Sequence, residues 1–194
     1  MNLFSETEFS KAVRKLFERL NQIAMAEDGV YADGFFKAYV FGGAAVHLYT
    51  NSRSSHDVDV EFSRYLPAFR EEDVVVSFVD ENGRPQQLTF DENFSSTLGM
   101  LHENYQEDAV PFFTEPGQSL WVYLVSPLDL AVSKLGRLAG HDLEDIKALA
   151  GMGLISAEGV RERAEFALAA YVGNTDRAKT NIDIAVKTIK SIGK

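Results

Sequence analysis

The sequence predicts an α+β fold, a small mixed sheet followed by a C-terminal helical bundle, because strand and helix patterns occupy different parts of the chain. Short apolar or alternating segments, bounded by turn residues, recur between residues 36 and 125. Apolar residues at three- and four-residue steps predict helices at the start of the chain and beyond residue 126. We therefore expect an α/β core with an N-terminal helix over 1–125 and a helical region packed on it over 126–194.

The predicted core begins with an amphipathic helix, in which Phe9, Val13 and Leu16 follow the capping-box residues Ser5 and Glu8. A strand that ends at a Gly-Gly pair comes next, followed by a short helix, a polar loop and a strictly alternating strand. An Asn-Gly pair then predicts a hairpin between two further strands. The predicted strands are "FKAYVF" (36–41), "DVDVEF" (57–62), "VVVSFV" (74–79), "QQLTF" (86–90) and "LWVYLV" (120–125), and the short helix spans 44–49.

The region after the last predicted strand carries helix-start signals. Ser126 is expected to cap a helix, with Pro127 in its first turn and Asp129 facing its positive end. Asp142 is expected to cap the next helix, and Ser156 to start the one after it. These signals predict the helical part of the fold.

Charge and composition exclude several classes of protein. The formal net charge of −10 argues against non-specific binding to nucleic acid, and no DNA partner is expected. The absence of cysteine excludes a disulfide framework and thiolate chemistry and fits a reducing cytoplasm. No basic-then-apolar leader opens the chain, and no apolar run approaches the length of a membrane span. We expect a cytoplasmic protein with no membrane partner.

Two aspartates on the alternating strand predict a metal site. Successive side chains of a strand point to opposite faces, so Asp57, Asp59 and Glu61 share one face. The Cα atoms of Asp57 and Asp59 should lie roughly 6.5 Å apart. Their carboxylates can then hold one divalent cation or bridge two, and oxygen ligands favour Mg²⁺ or Mn²⁺. The alternative interpretation is a solvated acidic face of an edge strand.

A glycine pair precedes this strand and predicts a phosphate site. Gly42 and Gly43 lie at a strand-to-helix turn, where missing Cβ atoms let the backbone approach a phosphate and the helix offers free N–H groups. Arg53 and Ser54, in the following loop, can add a guanidinium and a hydroxyl to the same anion. The alternative is a tight turn that needs glycine for conformational reasons alone. The combination is more telling than either part, because it places an anion site directly before a cation site.

The segment "GGAAVHLYTNSRSSHDVDVEF" (42–62) resembles the signature of the nucleotidyltransferase superfamily, which has the DNA polymerase β-like fold. That signature is Gly-[Gly/Ser], a gap, and two acidic residues separated by one apolar residue; here the gap is thirteen residues. The resemblance implies a sheet of the nucleotidyltransferase type, in which Asp57 and Asp59 hold Mg²⁺ on a nucleoside triphosphate. It also implies a third carboxylate on a neighbouring strand, which helps to activate the attacking hydroxyl.

Asp91 is our candidate for the third carboxylate. In "QLTFD", Leu88 and Phe90 face one side of the strand and Asp91 faces the other, at the strand end. Asp80 is the second candidate. Glu61 remains possible, although it shares a strand with the aspartate pair.

A second segment, "SPLDLAVSKLGRLAGHDLEDIKAL" (126–149), resembles the helical portion of AbiEii-type toxins and related short bacterial nucleotidyltransferases. The residues that carry this resemblance are Lys134, Arg137, Asp142 and Asp145. Lys134 and Arg137 lie on adjacent helical rows and can project together, and the resemblance implies that they contact the triphosphate. The alternative is a salt bridge from either cation to Asp142 or Asp145.

These observations together predict a metal-dependent nucleotidyltransferase, which moves a nucleoside monophosphate from a nucleoside triphosphate to a hydroxyl. The toxin-like resemblance implies a tRNA or RNA 3′ end or a protein as acceptor, and a cognate antitoxin as partner. Two alternatives stay open. One is a catalytically inactive relative that acts as an antitoxin or partner-binding subunit, and the other is a hydrolase that uses the same metals.

Overall fold

The structure, a computed structural model, describes residues 2–26, 31–91, 94–95 and 99–192. A mixed sheet and several helices make up this part of the chain, which confirms the predicted α+β class. The chain divides into two compact units, Met1–Phe94 with Ala109–Leu124 and Ser95–Asp108 with Val125–Lys194. The segment 95–108 therefore groups with the helical unit, although we expected it within the core.

The first unit contains the sheet. Its elements are α1 (Glu8–Ala26), β1 (Phe36–Val40), α2 (Gly42–Thr50), β2 (Asp57–Phe62), α3 (Glu71–Val74), β3 (Val76–Val79), β4 (Pro85–Asp91), β5 (Val110–Phe113) and β6 (Leu120–Leu124). The strands lie in the order β3-β4-β2-β1-β6-β5. β2 runs parallel to β4, β1 runs parallel to β6, and the other neighbours are antiparallel.

The two faces of this sheet differ in chemistry. One face is apolar, where Val58, Leu88 and Val122 are fully buried and α1 packs against β3, β4 and β6. The side chains at the intervening positions of each strand point to the opposite face. Strand register brings together on that face Tyr39, Tyr123, Glu61, Asp59, Asp57, Thr89 and Asp91. All the charged residues predicted on β2 therefore lie on one polar and aromatic face.

The second unit is helical. Its elements are α4 (Pro127–Ser133), α5 (Gly140–Gly151), α6 (Ala157–Leu168) and α7 (Thr175–Ile192). Asp129 is fully buried and accepts hydrogen bonds from Arg163 of 2.8 and 2.7 Å. Arg163 also donates to Asp108, 2.6 Å away. A buried carboxylate needs a hydrogen-bonded partner, and Arg163 provides it for Asp129. Because Arg163 also binds Asp108, it connects the segment 95–108 to the helices.

Several predicted local features are confirmed. β3 and β4 pair as the antiparallel hairpin that Asn82-Gly83 predicts. Ser126 caps α4, where its hydroxyl accepts the N–H of Asp129 at 3.1 Å. Ser156 caps α6 in the same way, accepting the N–H of Gly159 at 3.0 Å.

Several other predicted element boundaries differ from those in the structure. Thr7 rather than Ser5 precedes α1, and its hydroxyl accepts the N–H of Ser10 at 3.1 Å. α2 begins at Gly42, two residues before the predicted start. β3 begins at Val76, two residues after its predicted start, because Val74 is the last residue of the short helix α3. β5 was not predicted.

The start of α5 also differs from the prediction. The helix begins at Gly140, so Asp142 lies inside its first turn rather than at the cap position. The carboxylate of Asp142 reaches back and accepts the N–H of Ala139 at 2.8 Å. Asp142 therefore stabilises the helix start from within the helix.

Candidate active site

The carboxylates predicted on β2 and β4 lie on neighbouring parallel strands. Asp59 and Asp91 are register partners, and Asp57 is the register partner of Thr89. Neighbouring strands lie about 4.8 Å apart, and register partners point to the same face. Asp57 is exposed, whereas Asp59 and Asp91 are half-buried. The structure thus brings Asp91 next to Asp59 through the pairing of β2 with β4, whereas alternation alone had placed Asp91 only on the side of its own strand opposite Leu88 and Phe90.

Asp80, the second candidate, lies at the opposite end of β4, in the β3–β4 turn. Its carboxylate accepts the backbone N–H groups of Arg84 and Asn82, at 2.8 and 2.9 Å. These hydrogen bonds, that of Arg84 first, lower the pKa of Asp80 below its usual value. The structure therefore gives Asp80 a turn-stabilising role, away from Asp59.

Glu61, the further candidate, lies on the same face as Asp59, two residues further along β2. Its register partner on β1 is Tyr39. The Oε2 atom of Glu61 is buried and has no hydrogen-bond partner among the described residues. Burial, with the neighbouring Tyr123 and Glu61, raises the pKa of Tyr39. Glu61 thus introduces an uncompensated acceptor on the polar face.

Gly42 packs directly against the carboxylate of Asp59. It is the first residue of α2 and has a φ of +60°, in the left-handed region that favours glycine. A Cβ atom at Gly42 would lie 1.6 Å from Oδ2 of Asp59. The backbone N–H of Phe41 donates to the backbone oxygen of Asp59 at 2.8 Å, which holds the two segments together. Glycine is therefore required both by its conformation and by the space that Asp59 occupies.

Gly43 is in a similar position with respect to Arg53. A Cβ atom at Gly43 would lie 2.7 Å from Nη1 and 3.0 Å from Cζ of Arg53. The guanidinium is therefore in close contact with the first turn of α2, whose N–H groups favour anions. Gly42, Gly43 and Arg53 are thus brought together, and phosphate binding by them stays a prediction.

His47, which we had not predicted to contribute, fixes the loop that carries Arg53. It is buried on α2, and its Nδ1 atom lies 2.8 Å from the backbone oxygen of Arg53. Because a carbonyl can only accept, Nδ1 carries the hydrogen. Nε2 lies 2.8 Å from Oγ1 of Thr7. Burial lowers the pKa of His47, which favours the neutral ring. A histidine on an otherwise apolar helix is the sequence signal for such a buried, hydrogen-bonded role.

The loop before β2 contains one further contact. Ser55 donates a hydrogen bond of 2.8 Å to Oδ1 of Asp57 and so orients that carboxylate. Ser54, the predicted phosphate ligand, is exposed. A role for Ser55 had not been predicted, and the phosphate contact of Ser54 stays a prediction.

Lys134 and Arg137 follow the end of α4 at Ser133, so the prediction that they lie on adjacent rows of one helix is wrong. Both form ion pairs within the helical unit. Nζ of Lys134 lies 2.8 Å from Asp145 and 3.7 Å from Asp142, and these three side chains are at most 8% exposed. Arg137 is 67% exposed and donates two hydrogen bonds, of 2.9 and 3.0 Å, to Asp142. These contacts correspond to the alternative that we had left open, a salt bridge. A phosphate contact by either cation stays a prediction.

The charges of this cluster keep Asp142 ionised. Its burial would raise its pKa, but hydrogen bonds from Arg137 and Ala139 and the charge of Lys134 outweigh burial and lower the pKa. The Asp142 carboxylate is therefore stabilised by three groups, the Arg137 side chain, the Ala139 backbone N–H and the charge of Lys134. We take its main role to be holding α5 against the segment after α4.

The side chains of β2 fit a divalent metal as part of a nucleotide complex. Across the described ranges, no group of three or more His, Asp or Glu side chains is arranged to hold a metal ion. Magnesium usually takes only one or two carboxylates, and phosphate oxygens and water complete its shell. The oxygen donors of Asp57 and Asp59, two residues apart on the same face of β2, suit this arrangement.

Comparison with protein families tests the overall assignment. Residues 11–192 match the family described as "Nucleotidyltransferase of unknown function (DUF6036)", so the match covers nearly the whole chain. The chain belongs to this family. A comparison with curated proteins and with solved structures found no match.

Membership of this nucleotidyltransferase family supports the superfamily that the Gly-Gly and Asp-Val-Asp segments resemble, and a transferase at the coarse level. It also points to a nucleoside triphosphate as substrate. The nearer likeness to AbiEii-type toxins stays a prediction. In the part of the chain that the structure describes, no helix is long and apolar enough to span a membrane.

Proposed function

We propose that this protein transfers a nucleoside monophosphate from a nucleoside triphosphate to a hydroxyl acceptor. The observation that carries the proposal is the register of β2 and β4, which sets Asp91 beside Asp59 on the face that also holds Asp57. Family membership supplies independent support. Gly42 packs against Asp59 and places the strand-to-helix turn, the proposed phosphate site, next to these carboxylates.

The first turn of α2 and Arg53 are proposed to hold the triphosphate. The backbone N–H groups at the start of α2 carry partial positive charge, and the Arg53 guanidinium packs against the Gly43 backbone where a Cβ atom would otherwise lie. The Arg53 guanidinium can donate two parallel hydrogen bonds to phosphate oxygens. His47 keeps the Arg53 loop in place, so it is a positioning residue. Ser54 is the proposed hydroxyl donor to the same phosphates.

Asp57 and Asp59 would hold Mg²⁺ or Mn²⁺, which when bound would neutralise the charge of the triphosphate. Ser55 supports this role because it orients the Asp57 carboxylate. Lys134 and Arg137 remain proposed phosphate contacts on the strength of the family resemblance, although their ion pairs favour a structural role.

Asp91 is proposed as the base that accepts the proton of the acceptor hydroxyl. The hydroxyl oxygen attacks the α-phosphorus, a new oxygen–phosphorus bond forms, and the bond from the α-phosphorus to the bridging oxygen breaks. The electron pair of that bond leaves with pyrophosphate, and the hydroxyl proton passes to Asp91 and then to water. A positioned carboxylate contributes about 10²–10⁴-fold to such a step.

The toxin-like resemblance proposes an RNA 3′ end, such as that of tRNA, or a protein hydroxyl as acceptor, and an antitoxin as partner. A broad RNA-binding surface is disfavoured by the net charge of −10. An acceptor would therefore be recognised at its reacting end rather than along its backbone.

The test is incubation of the purified protein with each α-labelled nucleoside triphosphate, Mg²⁺ or Mn²⁺, and total tRNA or cell protein. Transfer is expected to give labelled acceptor and an equal amount of pyrophosphate, both lost in Asp57→Asn and Asp59→Asn. Glu18→Gln, on the exposed face of α1, is the matched charge control and should keep activity.

The outcome also separates the alternatives. Pyrophosphate or phosphate released without any labelled acceptor would indicate a hydrolase. Absence of turnover with every nucleotide and acceptor, combined with retained nucleotide binding, would indicate an inactive binding subunit, such as an antitoxin.

A further inference from the structure

A cavity of about 630 Å³ opens beside the carboxyl ends of β2 and β4, within the first unit. β2 continues to Phe62, whereas β4 ends at Asp91, the partner of Asp59, so the last residues of β2 extend past their neighbour. Residues of the segment after β2, and Phe94, also line the cavity. Asp91 thus lies at the border of the cavity.

In the described part of the lining, four phenylalanines lie together with the apolar residues Val60 and Leu66. Phe90 lies at the centre, with its ring centroid 6.3 Å from that of Phe62 and 5.6 Å from that of Phe69. Phe94 completes the set and packs on Phe41, with a centroid distance of 5.0 Å. Aromatic faces carry negative potential, so this lining suits an apolar body, and a positively charged group most of all.

The charged groups of the lining favour the same kind of ligand. Glu61 and Asp91 both border the cavity, and Oε2 of Glu61 is buried with no hydrogen-bond partner in the described ranges. Glu61 therefore has hydrogen-bonding capacity that the described residues do not use, and it lies at the border of the cavity, where a cationic donor would be favoured. Among the described residues of the lining, the only cation is Arg64, which lies over the ring of Phe35, 4.6 Å from its centroid.

We propose that this cavity binds the acceptor, and that the acceptor is a small, positively charged hydroxyl compound with an apolar body. The proposal rests on the proposed function, because it takes Asp91 as the group that receives the hydroxyl proton. The lining includes Asp91 but, of the residues described, none of Gly42, Gly43 and Arg53, so the cavity is distinct from the phosphate site. A phosphate-rich acceptor would face two carboxylates and a net charge of −10.

The geometry also defines how the acceptor would react. Its apolar body lies against the phenylalanines, its cation pairs with Glu61, and its hydroxyl reaches Asp91. The hydroxyl oxygen then forms the new bond to the α-phosphorus, pyrophosphate leaves with the electron pair, and the proton goes to Asp91. The product is a nucleoside monophosphate ester of the compound.

The charge requirement is tested by direct binding, without nucleotide. Tyramine, 4-ethylphenol and 4-hydroxyphenylacetate share a phenol of similar size but carry charges of about +1, 0 and −1 at neutral pH. Titration calorimetry and ligand-observed NMR on the whole protein should rank them in that order. Glu61→Gln should weaken tyramine at least about ten-fold, the loss expected for one charge-assisted hydrogen bond, with little effect on 4-ethylphenol.

Two further variants complete the design. Phe69→Ala should weaken all three phenols, because it removes part of the aromatic wall, whereas Glu18→Gln should change none of them. Thermal unfolding of each variant verifies that it is folded. Should Phe69→Ala fail to fold, Glu61→Gln alone still decides the question. Equal binding of the cationic and anionic phenols, or no binding of any phenol, would overturn the proposal.

The result is separable from that of the proposed function. Asp59→Asn should abolish transfer but retain tyramine binding, because Asp59 is outside the cavity lining. Tyramine binding without any transfer would reject the proposed function and leave the binding site standing. Transfer to an RNA 3′ end that is insensitive to Glu61→Gln and Phe69→Ala would reject the acceptor proposal and leave nucleotidyl transfer standing.

Discussion

A methyl group on Gly42 would lie 1.6 Å from Oδ2 of Asp59, a distance far inside van der Waals contact. The start of α2 and the Asp59 carboxylate, which is proposed to hold a metal, are therefore packed directly against each other. The Gly-Gly and Asp-Val-Asp segments, thirteen residues apart, form one packed unit.

Gly42→Ala is expected to reduce nucleotidyl transfer at least about 100-fold, since it displaces Asp59 by the order of 1 Å or more. The same change also forces alanine into a left-handed conformation, which costs about 1–2 kcal/mol of stability. The measurements are transfer rate and unfolding free energy by chemical denaturation.

Gly83→Ala is the matched control for that substitution. Gly83 has a φ of +75°, but a Cβ there would meet no atom within 4 Å. It should lose a similar amount of stability and keep its activity. Equal losses of activity in the two variants would show that strain alone, and not the displacement of Asp59, explains the effect.

Asp91→Asn is expected to lower the catalytic rate by about 10²–10⁴-fold, because an amide cannot accept the hydroxyl proton. Nucleotide affinity should change much less. Asp80→Asn serves as the comparison, since Asp80 is the other acidic candidate and its turn hydrogen bonds to Asn82 and Arg84 survive in an amide. Rate measurements at saturating nucleotide distinguish them, and a larger loss in Asp80→Asn would remove Asp91 from the proposed mechanism.

His47 is expected to make stability depend on pH in the acid range. Its pKa in the folded state lies below the ordinary 6.5, so the unfolded state binds more protons. The contribution of neutral His47 to the free energy of unfolding is therefore complete above about pH 6.5. It is lost as the pH falls below that value, by at most about 1.4 kcal/mol per pH unit for one proton. Denaturation curves between pH 5 and 8 measure it.

His47→Gln should flatten this pH dependence and raise the KM for nucleotide, because the Arg53 loop loses its hydrogen bond. His56→Gln is the control, since His56 is exposed. Identical acid slopes in wild type and His47→Gln would contradict the assignment of a neutral, buried imidazole.

Lys134→Met is expected to destabilise the protein by about 3–5 kcal/mol, because it leaves the buried carboxylates of Asp145 and Asp142 short of a partner. Lys147→Met removes an exposed ion pair to Glu144 in the same region and should cost less than about 1 kcal/mol. Chemical denaturation compares the two. A normal stability for Lys134→Met, with a raised KM for nucleotide, would instead favour the phosphate contact that the family resemblance implied.

Local sequence patterns determined much of the candidate site. Strand alternation alone put Asp57 and Asp59 on one face, because the side-chain period of a strand is two wherever the strand packs. The cap of Ser126 and the Asn82-Gly83 hairpin were predictable for the same kind of reason, since their hydrogen bonds join residues close in sequence. These features required no knowledge of the rest of the chain.

Contacts between distant segments were decided by the tertiary structure. Nothing local relates β2 to β4, so the choice of Asp91 over Asp80 depended on the parallel pairing that aligns Asp59 with Asp91. His47 could be assigned a role only once Thr7 and Arg53 had been brought to its two nitrogens. Likewise, helix spacing allowed Lys134 to face either a phosphate or a carboxylate.

The sequence by itself determined which chemical groups share a face and where the glycines allow close approach, because both follow from the geometry of a few consecutive residues. The tertiary structure decided which of those groups meet: it set Gly42 against Asp59, Asp91 beside it, and Lys134 against Asp145. The physical reason is that strand order and helix packing are fixed by burial of the apolar surface of all the segments together, which the sequence of any one segment does not determine.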